Sequence, residues 1–130
     1  MAQQILIVED DPAALRLVSY TLESAGYQVM SAVNGVEGLR KAQQQTPDLV
    51  VLDVMLPGID GFEVCHRLRS NSAAGQRPPP ILMLTAKSQE ADRAMAEKVG
   101  ADLYLTKPAT PDEITAAVQT LLAQREGGDA

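Results

Sequence analysis

The stretch VVLDVMLPGIDG, residues 50–61, runs three apolar residues into a carboxylate, Asp53, and soon after into a Pro57-Gly58 turn. Val50, Val51 and Leu52 read as a strand covered on both faces, because buried parallel strands are continuous apolar runs. A charge at the end of such a strand asks what waits there. Four more short runs share the strand character. QILIV ends near Val8, YQVMSA starts at Tyr27, ILMLT spans Ile81 to Thr85, and DLYLT spans Asp102 to Thr106. A helical pattern follows each run. Strict alternation predicts an α/β domain with a mostly parallel sheet and helices on both faces.

The helix starts carry local signals. Asp11 before Pro12 is an N-cap with proline at the first helical position, and Leu15, Val18 and Leu22 then share one face up to a stop at Gly26. Asn34 with Glu37 opens the second helix and Asp60 with Glu63 the third. Ser88 is expected to cap the fourth, which carries Ala91, Met95 and Val99 before Gly100. Thr110-Pro111-Asp112-Glu113 is a capping box, and Ile114, Ala117, Val118, Leu121 and Leu122 form a core-facing stripe behind it. Residues 71–80 read as a connection within the domain. The domain is expected to cover 1–124, with REGGDA, 125–130, as a frayed end or the start of a linker.

Bulk properties exclude several classes. At 130 residues the prior is one domain with one real core. No apolar run approaches the roughly 20 residues of a membrane span. The opening MAQQILIVEDD has neither the basic region nor the cleavage site of a signal peptide, and the lone Cys65 has no internal disulfide partner, so a cytoplasmic setting is expected. A net charge of −6 argues against a nucleic-acid grip by this chain, and no Trp, one Phe and three Tyr leave little for base stacking.

In an open parallel sheet the functional crevice lies beyond the carboxyl ends of the strands. The first strand delivers Glu9, Asp10 and Asp11 there, the third Asp53, the fourth Thr85, and the fifth Thr106, Lys107 and Pro108. Asp11 is spoken for as a cap. Carboxylates this close repel one another, and a hard divalent cation relieves that. Oxygen-only donors without a nearby His favour Mg²⁺, with Mn²⁺ as the alternative, over zinc. A carboxylate beside such a cation and a lysine can also attack phosphorus, giving an aspartyl phosphate.

At these residues the sequence resembles the receiver (CheY-like) domain of two-component response regulators, from about Gln4 to Gln124. ILIVEDDPAALRLV, PDLVVLDVMLPGIDGFEVCHRLR, ILMLTA and GADLYLTKP match its segments in order and spacing. The resemblance implies a flavodoxin-like (βα)5 fold with strand order 2-1-3-4-5. It implies that Asp53 is the phosphoacceptor. Asp10, Asp53 and the backbone carbonyl of Met55 would ligate Mg²⁺, with Glu9 acting through a metal-bound water. Lys107 and Thr85 would bind phosphoryl oxygens, and Pro108 would set the turn through a cis bond. Tyr104 would be the aromatic that turns inward when Thr85 is drawn to the phosphoryl group. Met55 and Lys87, each two residues past a site residue, would tune rates. The implied function is a phosphorelay switch rather than a turnover enzyme. Its donor is a histidine kinase or phosphotransfer protein, its readout a downstream protein or fused output domain through helix four, strand five and helix five, and its state a monomer or weak dimer.

Two positions depart from that family. Ala109 stands where Phe is common after Lys-Pro. The helix-four to helix-five face offers Asp92, Arg93, Lys98 and Asp102, but Leu103 interrupts the usual acidic pair and helix five has no basic residue before Arg125. A salt-bridged dimer through that face is therefore not expected. Two other readings compete. A phosphatase of the haloacid dehalogenase type needs a second Asp two residues after its nucleophile, where Met55 stands. An interaction module without phosphorylation would not need Asp10, Asp53, Thr85 and Lys107 together. Cys65 is expected to pack the third helix on the sheet, and His66 to face solvent.

Overall fold

The apolar runs become strands and the capped patterns helices in a computed structural model that describes residues 2–70 and 77–128. In chain order these are β1 (Gln4–Val8), α1 (Pro12–Ser24), β2 (Gln28–Ala32), α2 (Gly35–Gln45), β3 (Leu49–Leu52), α3 (Gly61–Ser70), β4 (Ile81–Thr85), α4 (Glu90–Val99), β5 (Leu103–Thr106) and α5 (Pro111–Gly128). All pairings are parallel and the order is β2-β1-β3-β4-β5, as expected. Residues 71–76 and 129–130, part of the expected connection and tail, lie outside the described residues.

Alternation along each strand divides the core in two. Ile5, Ile7, Leu49, Val51, Leu82 and Leu84 meet Val18 and Leu22 of α1 and the Ile114–Leu122 stripe of α5. Leu6, Val8, Val50, Leu52, Ile81 and Met83 meet α2, α3 and α4. Each fully buried Leu or Ile contributes about 1.5–3 kcal/mol by leaving water. The central strands are sealed on both faces, which is why they read as unbroken apolar runs.

Four caps form where expected: Asp11 accepts from Ala14 N–H (3.0 Å), Asn34 from Glu37 (2.8 Å), Asp60 from Glu63 (3.0 Å), and Thr110 exchanges bonds with Glu113. The cap expected for the fourth helix does not. α4 is capped at Gln89 rather than Ser88, because the Asp92 carboxylate reaches back to Gln89 N–H at 3.2 Å. Its inward face also differs. Ala96 is its one fully buried residue, Val99 is partly buried, Ala91 is exposed, and Met95 is 41% exposed. α5 runs past Gln124 to Gly128, and the Arg125 guanidinium reaches the carbonyls of Asp48 (3.3 Å) and Arg77 (3.5 Å).

At the amino ends of the strands two carboxylates do the same job. Asp48 accepts the N–H of Gln4 at 2.7 Å, and Asp102 that of Ile81 at 2.8 Å. Each ties a neighbouring strand's first amide to the residue just before its own strand, so the leading N–H groups of β1 and β4 are both satisfied.

Candidate functional site

The ladder carries on one residue beyond β1, β3 and β5, and this fixes the backbone of the polar residues there. Glu9 N–H donates to Ala32 O (2.9 Å), Asp53 N–H to Val8 O (3.1 Å) and Lys107 N–H to Thr85 O (2.8 Å). The sheet thus gathers Glu9, Asp10 and Asp53, which each offer one carboxylate oxygen within 4.8 Å of those of the other two. Glu9 is 4% exposed and Asp53 6%, while Asp10 faces solvent.

Lys107 is the counter-ion. Its ammonium donates to Glu9 Oε1 and, at 3.1 Å, to Asp53 Oδ2. The remaining oxygens are also engaged: Glu9 Oε2 accepts from Asp11 N–H (3.1 Å) and Asp53 Oδ1 from Met55 N–H (3.0 Å). Burial pushes Glu9 above the ordinary carboxylate value, with Lys107 pulling the other way. Burial alone would lower Lys107, but its bonds to Glu9 and Asp53 outweigh that and hold it above the ordinary lysine value. The all-oxygen donor set, two acids buried and one at the mouth, suits a hard divalent cation.

α3 starts tight against the main chain of Asp53. A Cβ on Gly61 would come within 2.2 Å of Asp53 O and 2.7 Å of Val54 Cα, so only glycine lets α3 start against the Asp53 main chain. Sequence reading passed over Gly61; its signal was a glycine directly after the Asp60 cap.

Thr85 is wholly buried, and its Oγ1 accepts from Lys87 N–H at 3.4 Å. As an acceptor there it still has its own proton to give. Tyr104 is half-buried, and its hydroxyl donates to Lys87 O at 2.6 Å. Lys87 and Met55 are exposed, and the Lys87 ammonium lies 3.9 Å from Asp92. The Lys107-Pro108 bond is cis. Cys65 packs wholly inside the α3–sheet core with its thiol pushed up to about 11 by burial, and His66 is exposed.

A family model described as the response regulator receiver domain matches residues 5–119. The chain belongs to that family. It is 46% identical over 126 residues to the alkaline phosphatase synthesis transcriptional regulatory protein PhoP of Bacillus subtilis, covering 97% of this chain and 51% of that protein. It is 48% identical over 123 residues to the DNA-binding dual master transcriptional regulator RpaA of Synechocystis, covering 95% and 50%. The chain thus spans about half the length of these curated relatives, which are named as transcriptional regulators rather than enzymes. A CheY-like receiver domain protein from Methanospirillum hungatei superposes with a TM-score of 0.91 at 29% identity, covering 98% of this chain and 99% of that one.

Two features of this receiver domain bear on its outer face. Asp102, one of the charges available for a partner, is instead paired with Arg69 of α3 inside the chain. Ala109, where the family commonly has Phe, packs partly buried against the α1–α5 side of the core. No described helix is long and apolar enough to cross a membrane.

Proposed function

We propose that this receiver domain is a phosphoacceptor switch in which Asp53 takes a phosphoryl group from a phosphohistidine. The observation that carries it is the Lys107 ammonium set between Glu9 and Asp53, with Asp10 beside them. An Asp53 oxygen attacks phosphorus, the new O–P bond forms as the P–N bond breaks, and the donor imidazole leaves with the electron pair and takes up a proton. Asp10, Asp53 and the Met55 carbonyl would hold a cation, Mg²⁺ or alternatively Mn²⁺, which would supply charge to neutralise the transferring group. Glu9, buried beside Lys107, would act at one remove, through a metal-bound water.

Lys107 is placed to exchange Glu9 and Asp53 for phosphoryl oxygens. Thr85 gives its hydroxyl proton to the same group, drawing the following loop inward, and Tyr104 turns in with it. Pro108 sets the turn that aims Lys107. Met55 and Lys87, exposed at the rim, tune how readily water reaches the phosphoryl group and so how slowly the domain resets itself. A histidine kinase or phosphotransfer protein is the donor. The readout is a target protein or an output domain on the α4–β5–α5 face. With a net charge of −6, DNA contact falls to that partner rather than to this chain. The setting is the cytoplasm and the free state a monomer or weak dimer.

Intact mass after incubation with acetyl phosphate tests this. A single phosphoryl adduct that needs Mg²⁺ and is lost in Asp53→Asn is the expected result. If acetyl phosphate, a second small donor and a beryllofluoride titration all leave a folded chain unchanged, the phosphoacceptor reading falls.

A further inference from the structure

α4 buries a single residue, Ala96, yet its one arginine, Arg93, reaches across to β5. Arg93 lies with its guanidinium carbon 4.9 Å from the centroid of the Tyr104 ring, and its Nη2 donates to Thr106 Oγ1 at 2.8 Å. Thr106 pairs with Thr85 in the sheet and precedes Lys107. Tyr104 in turn donates to Lys87 O, and Lys87 N–H donates to Thr85 Oγ1. The contacts form one unbroken path: Arg93, Tyr104, Lys87, Thr85.

We infer that Arg93 is a positioning residue of the switch: its guanidinium holds the Tyr104 ring on the Lys87 carbonyl and so sets how readily the loop after Thr85 closes. This deepens the phosphoacceptor reading and rests on it. A planar cation on the ring face attracts it, and the fork to Thr106 fixes where that cation sits. Without it the ring has its own hydroxyl bond and partial packing against the core to keep it in place. Arg93 is itself exposed, so its replacement leaves the core intact. The same arginine is thereby committed within the chain, alongside Asp102 on Arg69, rather than offered to a second copy.

The test uses the whole chain labelled with 3-fluorotyrosine at Tyr20, Tyr27 and Tyr104, the last assigned through Tyr104→Phe. Fluorine spectra of the unliganded wild type, Arg93→Met and Arg93→Lys read the ring directly. Arg93→Met is expected to shift the ratio of two Tyr104 environments by about three- to tenfold, with Arg93→Lys between, since lysine keeps the charge and loses the fork. With Mg²⁺ present, the beryllofluoride midpoint of Arg93→Met is expected to move by a similar factor, about three- to tenfold, because a ligand that needs the closed loop binds in proportion to its population. An unchanged Tyr104 resonance overturns the hold. A changed resonance with an unchanged midpoint overturns the coupling to Thr85. A wild type indifferent to beryllofluoride sinks the phosphoacceptor reading and that coupling together, and the unliganded spectra then decide whether Arg93 holds the ring.

Discussion

Take away the ammonium of Lys107, and Glu9 and Asp53 face each other buried and without a cation. Lys107→Ala is expected to lower stability by about 1–3 kcal/mol in urea unfolding without divalent ions, and Mg²⁺ to restore part of that loss. Equal stability of the two chains in chelator would contradict the counter-ion role. The pH dependence follows from the same pair. Glu9 has a raised value in the folded state, so its ionised form costs the fold stability at neutral pH, and that cost is relieved as pH falls through the raised value. Lys107 is also raised, so its stabilisation is complete below the ordinary lysine value and is lost only as pH climbs through the folded one. A cation needs Glu9 ionised nearby, and protons compete for it. Mg²⁺ affinity should therefore begin to fall on acidification while pH is still above the ordinary carboxylate range, as calorimetric titrations at stepped pH would show. Affinity that holds flat down to that range would count against a raised Glu9.

At the scale of elements, α4 buries little along its face and is tied down mainly at its C-terminal end. Arg69 Nε donates to Gly100 O at 2.9 Å and pairs with Asp102, and the Cys65 thiol lies 3.4 Å from Val99 O. α5, by contrast, buries Ile114, Val118, Leu121 and Leu122. Amides of 90–99 are expected to exchange with deuterium well before those of 114–122, and Arg69→Met to speed the last turn of α4 by roughly tenfold for the loss of about 1–1.5 kcal/mol. Equal protection of the two helices, or an unaltered α4 in the variant, would refute this. The same helix marks where sequence reading stops. Asp11, Asn34, Asp60 and Thr110 were legible as caps because each partner lies three residues on. Strand runs and the α5 stripe were legible because burial imposes a period. Ser88 was misplaced by one residue because Gln89, unremarkable in sequence, is capped through Asp92. The acids and Lys107 were legible at strand ends, but Arg69 finding Asp102 across 33 residues and Tyr104 finding Lys87 across 17 leave no local trace. Such pairs are set by how helices lie on the sheet, which no short pattern records.

For the molecule as a whole, the two poles of the sheet differ in kind. One carries Glu9, Asp53, Thr85 and Lys107; the other is closed by Asp48 and Asp102 on the first amides of β1 and β4. Asp48 does more than cap a strand. Its side chain holds the start of β1 at Gln4, and its carbonyl receives Arg125 near the end of α5. The way in and the way out of the fold therefore meet at one residue, on the side away from Asp53. A circular permutant that joins these ends through a short Gly-Ser linker and opens the chain at Gly26, where an added side chain would meet nothing within 4 Å, is expected to fold with the parent's circular dichroism spectrum and Mg²⁺ affinity. Loss of either would show that the two ends are not neighbours in solution. The doorway at Asp48 makes the domain a cassette: whatever is spliced before β1 or after α5 hangs from one hinge post, leaving the acidic pole open to its visitors.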